Sequence, residues 1–357
     1  MLTLVVSFLL AATSMSTSPD YQQILEQFRN HQDIPGISAV VTRRHAVAFA
    51  GASGLADIEA NREMTADTIL YAGSLSKVMT AVLVLQLVAD GRLALSQTAL
   101  EVAHPEAASI SISQLLAHRS GLVREGDFGY WFSGEFPDRA ALLRFLRDTE
   151  LQNLPGIRTS YSNIGYAALG YVVENATGVA FAEALKNRVF APLGMTSSGG
   201  RGPAPGVSRG YTPSGRLLPD DERPFAGVGK RLGNRHLREY HDARAMAPAF
   251  GAYSTAADLG RLARFLLGYG PDGVLQDDLR QLMFTPRGSG RGLGIRIARL
   301  DGRSVARHDG WFAAHRSHLL LDFETGIGVV VMANSDNADP ALLAEALLAL
   351  AAGDIAD

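Results

Sequence analysis

"LYAGSLSKVMTAVLVLQLVADG", residues 70–91, runs from a short polar opening into a segment that is apolar on every side. Val78, Met79, Val82, Leu83, Val84, Leu85, Leu87 and Val88 leave no polar face, and Gly91 supplies a stop, so the pattern predicts a buried helix over 77–90. At its first turn stand Ser74 and, three residues on, Lys77. Lysine is rare here: only Lys77, Lys186 and Lys230 are lysines among 33 basic residues, the other thirty being arginine.

Outward from that helix, Ile24, Leu25 and Phe28 fall at helical spacing in 21–30. Two β-like runs follow, 37–42 and 46–50, separated by Arg43, Arg44 and His45 and read as a hairpin. Helices are predicted at 113–118, 139–148, 164–176, 181–189 and 256–267, several of them stopped by glycine. The Gly-, Pro- and Arg-rich stretch 197–233 reads as long surface loops. Beyond Gly292 the period becomes strand-like, at 293–300, 304–308, 318–323 and 327–332, with turns at Asp301-Gly302 and Thr325-Gly326. Pro340 then opens a last amphipathic helix, 341–351. Strands at both ends and helices between predict an α/β chain of α+β type: one antiparallel sheet built from both termini, flanked by helices, with an all-helical subdomain inserted. The division expected is 19–90 with 271–357 for the sheet part and 91–270 for the helical part, with the active site between them. Internal repeats and flexible interdomain linkers are not evident in the sequence.

The 357 residues are 47% hydrophobic and 19% charged, enough apolar material for a large core. A formal net charge of −3 and scattered arginines offer no basic field, so nucleic acid is not an expected partner. Without cysteine there are no disulfides, thiolate nucleophiles or cysteine-ligated metals. The apolar run 2–12, followed by Thr13, Ser14, Ser16, Thr17 and Ser18, reads as a signal peptide over 1–18 that lacks the usual basic start; it is too short to span a membrane. The expectation is an exported, periplasmic or secreted protein.

On a helix, positions i and i+3 share a face, so the Ser74 hydroxyl and the Lys77 amine can meet. A serine hydroxyl is a weak nucleophile until a neighbouring base takes its proton. Lysine is such a base only if its pKa falls from about 10.4 toward neutrality, and burial beside an apolar helix works in that direction. The helix N-terminus adds N–H groups suited to an oxyanion. A helix cap followed by a snorkelling lysine has the same spelling. Downstream, Tyr161-Ser162-Asn163 offers a phenol and an amide two residues apart, although Ser-Tyr-Ser-Asn is also ordinary turn and cap chemistry. "HDGW", 308–311, places His308, Asp309 and Gly310 on a strand whose edge can hold an extended substrate.

Taken in order and spacing, Ser74-x-x-Lys77, Tyr161-x-Asn163 and His308-x-Gly310 resemble the three motifs of the class C β-lactamase and DD-peptidase group of serine hydrolases. The flanking text "ISQLLAHRSGL", "PGIRTSYSNIGYAALGYVVENATG", "APLGMTSS", "GAYSTAADLGRLARFLL" and "GIGVVVMANSDN" is similar to that group, over roughly 20–350. The resemblance implies a β-lactamase/transpeptidase-like fold and acyl transfer through an acyl-serine: Ser74 attacks, Lys77 and Tyr161 carry protons, Asn163 orients Lys77 and substrate, and His308 assists. It also implies an oxyanion hole made by the backbone N–H groups of Ser74 and Trp311, and no metal or organic cofactor. Most β-lactamases of this kind carry Lys-Thr-Gly where His308-Asp309-Gly310 stands, so a D-amino-acid amidase, peptidase or esterase is expected before a β-lactamase or DD-carboxypeptidase. A non-catalytic penicillin-binding sensor or scaffold is the alternative from another class.

Asp309 within 4 Å of a substrate carboxylate costs about 4 kcal/mol at an effective dielectric near 20, which favours an ester or an amine-bearing substrate if the side chain faces the pocket. Strand alternation can instead turn it away, with Arg307 or Arg316 compensating. His118, at a helix C-terminus, reads as a structural cation. "HLREYH", with His236, Glu239 and His241, lacks the His-Glu-x-x-His order of a metal site. "DFGYWF", 127–132, either roofs the cleft or packs the helical part.

Overall fold

A computed structural model describes residues 20–101, 109–126, 129–215 and 228–356. Seven strands form one antiparallel sheet in the order Arg296–Leu300, Arg303–Phe312, His315–Asp322, Ile327–Ala333, Gly36–Thr42, Val47–Asp57, Arg62–Glu63. The two chain ends meet at its centre, where Ile37 pairs with Ala333 and Thr42 with Gly328. Both of these central strands are buried along their whole length, because each face of the sheet is covered.

One face packs against the terminal helices Tyr21–His31 and Pro340–Ala356, through Ile24, Leu25 and Phe28 on the first and Leu343, Leu347 and Leu348 on the last. The other face merges with a larger core that surrounds the Ser76–Ala89 helix. Twelve of that helix's fourteen residues are buried, Lys77 completely. Against it lie the Asn163–Thr177 helix, capped by Ser162, and the short Ala247–Phe250 helix. Thr80 ties two of these together, donating to the carbonyls of Ser76 (2.9 Å) and Pro248 (2.9 Å).

The antiparallel sheet drawn from both termini is as the sequence predicts, and the helices at 139–148, 164–176 and 256–267 agree to within one residue at each end. Two differences have physical causes. The strand-like run over 304–308, with Asp309 and Gly310 following on the same strand, extends further to Phe312, and Gly310 admits close backbone packing there: a Cβ on it would lie 2.1 Å from the Ala72 carbonyl oxygen. The stretch expected as loops over 197–233 instead contributes Gly210–Tyr211 and Val228–Leu232 to a small sheet around Arg235–Arg238, so the inserted part is not purely helical. The apolar run 2–12 lies outside the described residues. Among the described residues no helix is long and apolar enough to cross a membrane.

Candidate active site

Ser74 sits in a 3-10 turn, Gly73–Leu75, that leads directly into the buried helix. Gly73 adopts φ +54°, and a Cβ on it would lie 2.3 Å from the Trp311 backbone nitrogen, so only glycine lets this turn press against the Arg303–Phe312 strand. The turn is fixed further by Ser76 Oγ, which donates to the Gly73 carbonyl (2.7 Å), and by Ser317 Oγ, which donates to the Ala72 carbonyl (2.8 Å). Sequence-distant strands thus place the backbone of Trp311 beside that of Gly73 and Ser74.

Lys77 Nζ lies 3.1 Å from Ser74 Oγ. It also lies 2.6 Å from Asn163 Oδ1 and 2.6 Å from the Ala249 carbonyl oxygen. Burial, the largest cause, holds the Lys77 pKa well below the usual lysine range, and Arg124 and Arg291 act in the same sense against Glu125. A neutral amine has two hydrogens and one lone pair. Asn163 Oδ1 and the Ala249 carbonyl can only accept, so they take both hydrogens and leave the lone pair toward the Ser74 hydroxyl. On the other side, Tyr161 OH donates to Ser74 Oγ at 2.9 Å, and burial pushes its pKa up to about 12, so the phenol keeps its proton.

Tyr161 and Asn163 flank Ser162, whose Oγ accepts from the Gly165 N–H (2.9 Å) and donates to the Val123 carbonyl (2.7 Å). Cap chemistry and site chemistry therefore share one tripeptide: the serine starts the helix, and its neighbours face Ser74 and Lys77. His308 is buried, with its ring 6.4 Å from that of Tyr161. Its Nδ1 lies 2.8 Å from the Asp309 carbonyl, which fixes the proton on Nδ1 and leaves buried Nε2 as an unpartnered acceptor. Burial, the largest cause, brings its pKa down to about 3, so the ring is neutral.

Asp309 takes the second of its two possible orientations. Alternation along the strand turns it away from His308 to His318 Nδ1, 2.8 Å away, with the carboxylate largely in solvent. It does not line the cavity at Ser74, and the electrostatic argument from Asp309 to substrate charge therefore lapses. Arg316 pairs across the sheet with Trp311 and is likewise absent from the cavity wall. His118 also departs from expectation. Burial keeps it neutral, Nδ1 accepts from the Ser162 N–H (3.1 Å), and its ring lies tilted against that of Tyr161 with centres 4.4 Å apart. It is a wall of the site rather than a helix-end cation.

Around Ser74 a cavity of about 300 Å³ is lined by Arg124, Glu125, Trp131, Asn163, Phe250 and Trp311. Trp131 roofs it, with its ring 5.3 Å from Phe250 and 5.5 Å from Trp311, while Tyr130 packs beneath; the two readings of "DFGYWF" each hold for one residue. Residues 127 and 128 of that stretch lie outside the described residues. A larger cleft of about 960 Å³, lined by Arg139, Tyr171, Glu174 and Arg244 among others, contains neither Ser74 nor Lys77, and the chemistry favours the smaller cavity.

Glu125, which no motif announces, accepts from Asn163 Nδ2 at 2.6 Å and from Tyr130 OH. Its carboxylate thereby orients the Asn163 amide so that Oδ1 faces Lys77. Arg291 is a second unannounced neighbour, its guanidinium 5.4 Å from the Tyr161 ring centre. The carbonyl of Ala249 is a third, and being backbone it leaves no side-chain signal.

Comparison with known proteins places this arrangement in a wider group. The sequence profile of the family described as Beta-lactamase matches residues 21–353. Esterase EstB of Burkholderia gladioli is 29% identical, over 92% of this chain and 93% of the esterase. Penicillin-binding protein 4 of Amycolatopsis lactamdurans is also 29% identical, over 88% of this chain and 84% of that protein. Among solved structures, D-amino acid amidase from Ochrobactrum anthropi SV3 superposes with a TM-score of 0.79 at 23% identity, covering 94% of this chain and 98% of the amidase, a likeness of fold.

Proposed function

This chain belongs to the β-lactamase family, and from that premise we propose that it is a serine hydrolase whose Ser74 forms an acyl intermediate with an amide or ester substrate. The observation that carries this reading is the convergence on Ser74 Oγ of a buried amine at 3.1 Å and a phenol at 2.9 Å. As Ser74 Oγ attacks the carbonyl carbon, its proton passes to Lys77 Nζ. The oxyanion forms beside the N–H groups of Ser74 and Trp311. Collapse breaks the C–N or C–O bond while Tyr161 gives its proton to the departing atom, and the Lys77 ammonium then returns a proton to Tyr161. Water repeats the sequence in reverse roles and releases the acid. Asn163 holds Lys77 in place, and the neutral His308 offers Nε2 as an acceptor near Tyr161.

For the substrate we propose an acyl group that bears an amine, as an amide or a short ester. Support comes from Glu125, whose carboxylate reaches the cavity and, with Asn163, Tyr130 and Arg124 donating to it, keeps one acceptor site for an ammonium group. The esterase and the D-amino acid amidase among the similar proteins are compatible with that class. Together with the apolar run 2–12, the reading extends to an exported enzyme.

An acylating serine probe followed by mass spectrometry should place its adduct on Ser74; a folded, unmodified protein removes the proposal. A D-amino-acid amide, a D-Ala-D-Ala peptide, a cephalosporin and p-nitrophenyl acetate then rank the substrate classes, the amide or the ester being expected first. Turnover that Ser74→Ala abolishes excludes a non-catalytic sensor.

A further inference from the structure

The proton cycle leaves one group unexplained. When Tyr161 protonates the leaving atom it becomes a phenolate in a buried site, and burial opposes that charge. The groups that surround Tyr161 come from several elements: Lys77 from the buried helix, Tyr166 from its own helix, His118 and the Arg124-Glu125 pair from the preceding segment, His308 from the sheet, and Arg291 from the turn before the Arg296–Leu300 strand. His118 and His308 are neutral. Arg124 is paired with Glu125 at 3.1 Å and mostly exposed, so its field is largely offset and screened. Lys77 holds the proton of Ser74 at that moment and shares the stabilisation, but its charge disappears when it returns the proton to Tyr161.

Arg291 differs from all of these. Among the described residues its guanidinium makes no ion pair. Its backbone, by contrast, is held firmly: Arg287 N–H donates to its carbonyl (2.7 Å), its own N–H donates to the Gly288 carbonyl (2.9 Å), and it bridges to Arg296. Such a clamp positions a permanent cation over the Tyr161 ring without neutralising it.

We propose that Arg291 is a positioning residue that acts through Tyr161, its fixed positive charge stabilising the Tyr161 phenolate while the leaving group takes the proton. This rests on the serine-hydrolase reading above. It predicts a dependence on the leaving group, because p-nitrophenolate departs unprotonated whereas an alkoxide or amine must receive the Tyr161 proton.

The test compares p-nitrophenyl acetate with ethyl acetate on the wild-type chain, Arg291→Gln and Arg291→Lys, with Ser74→Ala as control. Arg291→Gln should lower kcat/KM for the ethyl ester on the order of 100-fold more than for the p-nitrophenyl ester, the factor expected of a unit charge at this distance and an effective dielectric near 20. Arg291→Lys should recover most of that ratio. Both esters are measured on each variant, so a partly unfolded fraction cancels in the ratio. Equal losses on both esters overturn the proposal, as does an effect confined to KM for substrates carrying a carboxylate. Turnover that survives Ser74→Ala refutes the serine-hydrolase reading itself, and is thereby told apart from a failure of Arg291 alone.

Discussion

Lys77→Met separates the catalytic from the structural part of the site. Methionine has nearly the length of lysine and no proton to exchange, so the fully buried side chain keeps its packing while the proposed base disappears. Loss of a positioned general base should lower kcat/KM for p-nitrophenyl acetate by about 10²–10⁴-fold, or about 3–5 kcal/mol of barrier. Stability should change much less. Asn163 Oδ1 and the Ala249 carbonyl each lose a donor, at about 1–3 kcal/mol apiece, but the cost of burying an amine that prefers to be charged disappears at the same time.

The sign of that second effect can be measured. Burial lowers the native pKa of Lys77, so between that lowered value and the unfolded value near 10.4 the unfolded chain binds one more proton than the native one. Wild-type stability therefore rises with pH through this window by about 1.4 kcal/mol per unit from this group alone. Denaturant unfolding of both proteins at pH 7, 8, 9 and 10 isolates it, because every other titrating group cancels in the difference. Above the lowered native value, and until the pH nears 10.4, the wild type should gain on the variant by about 1.4 kcal/mol per pH unit. A difference that stays flat from pH 7 to 10 means that Lys77 is as protonated when folded as when unfolded, and the lone-pair argument is then wrong.

Three further expectations follow from the same geometry. Gly73→Ala places a methyl group 2.3 Å from the Trp311 nitrogen at a positive φ, and should cost about 2 kcal/mol of stability and ~10²-fold in kcat; wild-type kinetics for this variant would show that the turn and strand do not act together. His118, His308 and His315 are buried and neutral, with native pKa values lowered, to about 3 for His308 and about 4 for His315. Each contributes stability that is complete above about pH 6.5 and fades by about 1.4 kcal/mol per unit as the pH falls toward the native value; urea midpoints that hold steady from pH 7 to 5 would contradict this. Glu125→Gln should reduce kcat/KM about 10-fold more for an amine-bearing substrate than for a neutral short-chain ester, any loss common to both coming from the Asn163 amide that Glu125 orients, and equal reductions would count against the ammonium subsite.

Much of the site was legible because its parts repeat along short spans. Ser74 and Lys77 share a helical face, Tyr161 and Asn163 straddle a capping serine, and His308 and Gly310 follow strand alternation. Glu125 and Arg291 were not legible. They lie in irregular segments without periodicity, and their roles come from neighbours 38 and 130 positions away, Asn163 and Tyr161. His118 was visible but misjudged: a helix end argues for a cation, and complete burial under two tyrosine rings outweighs that dipole.

Local periodicity and turn chemistry, read from the sequence alone, determined the type and approximate span of most elements; the order of strands and helices suggested one antiparallel sheet from both chain ends, and the resemblance of three short motifs pointed to Ser74 and Lys77 as the proposed nucleophile and base. Element type and span depend on interactions between residues a few positions apart, which the order of residues records directly. Only the tertiary structure decided which way Asp309 points, which carbonyl holds Lys77, and which charges surround Tyr161. Those outcomes depend on burial and on hydrogen bonds between distant segments. A shift of a strand by one residue or of a loop by a few ångströms would reverse them without altering any local pattern.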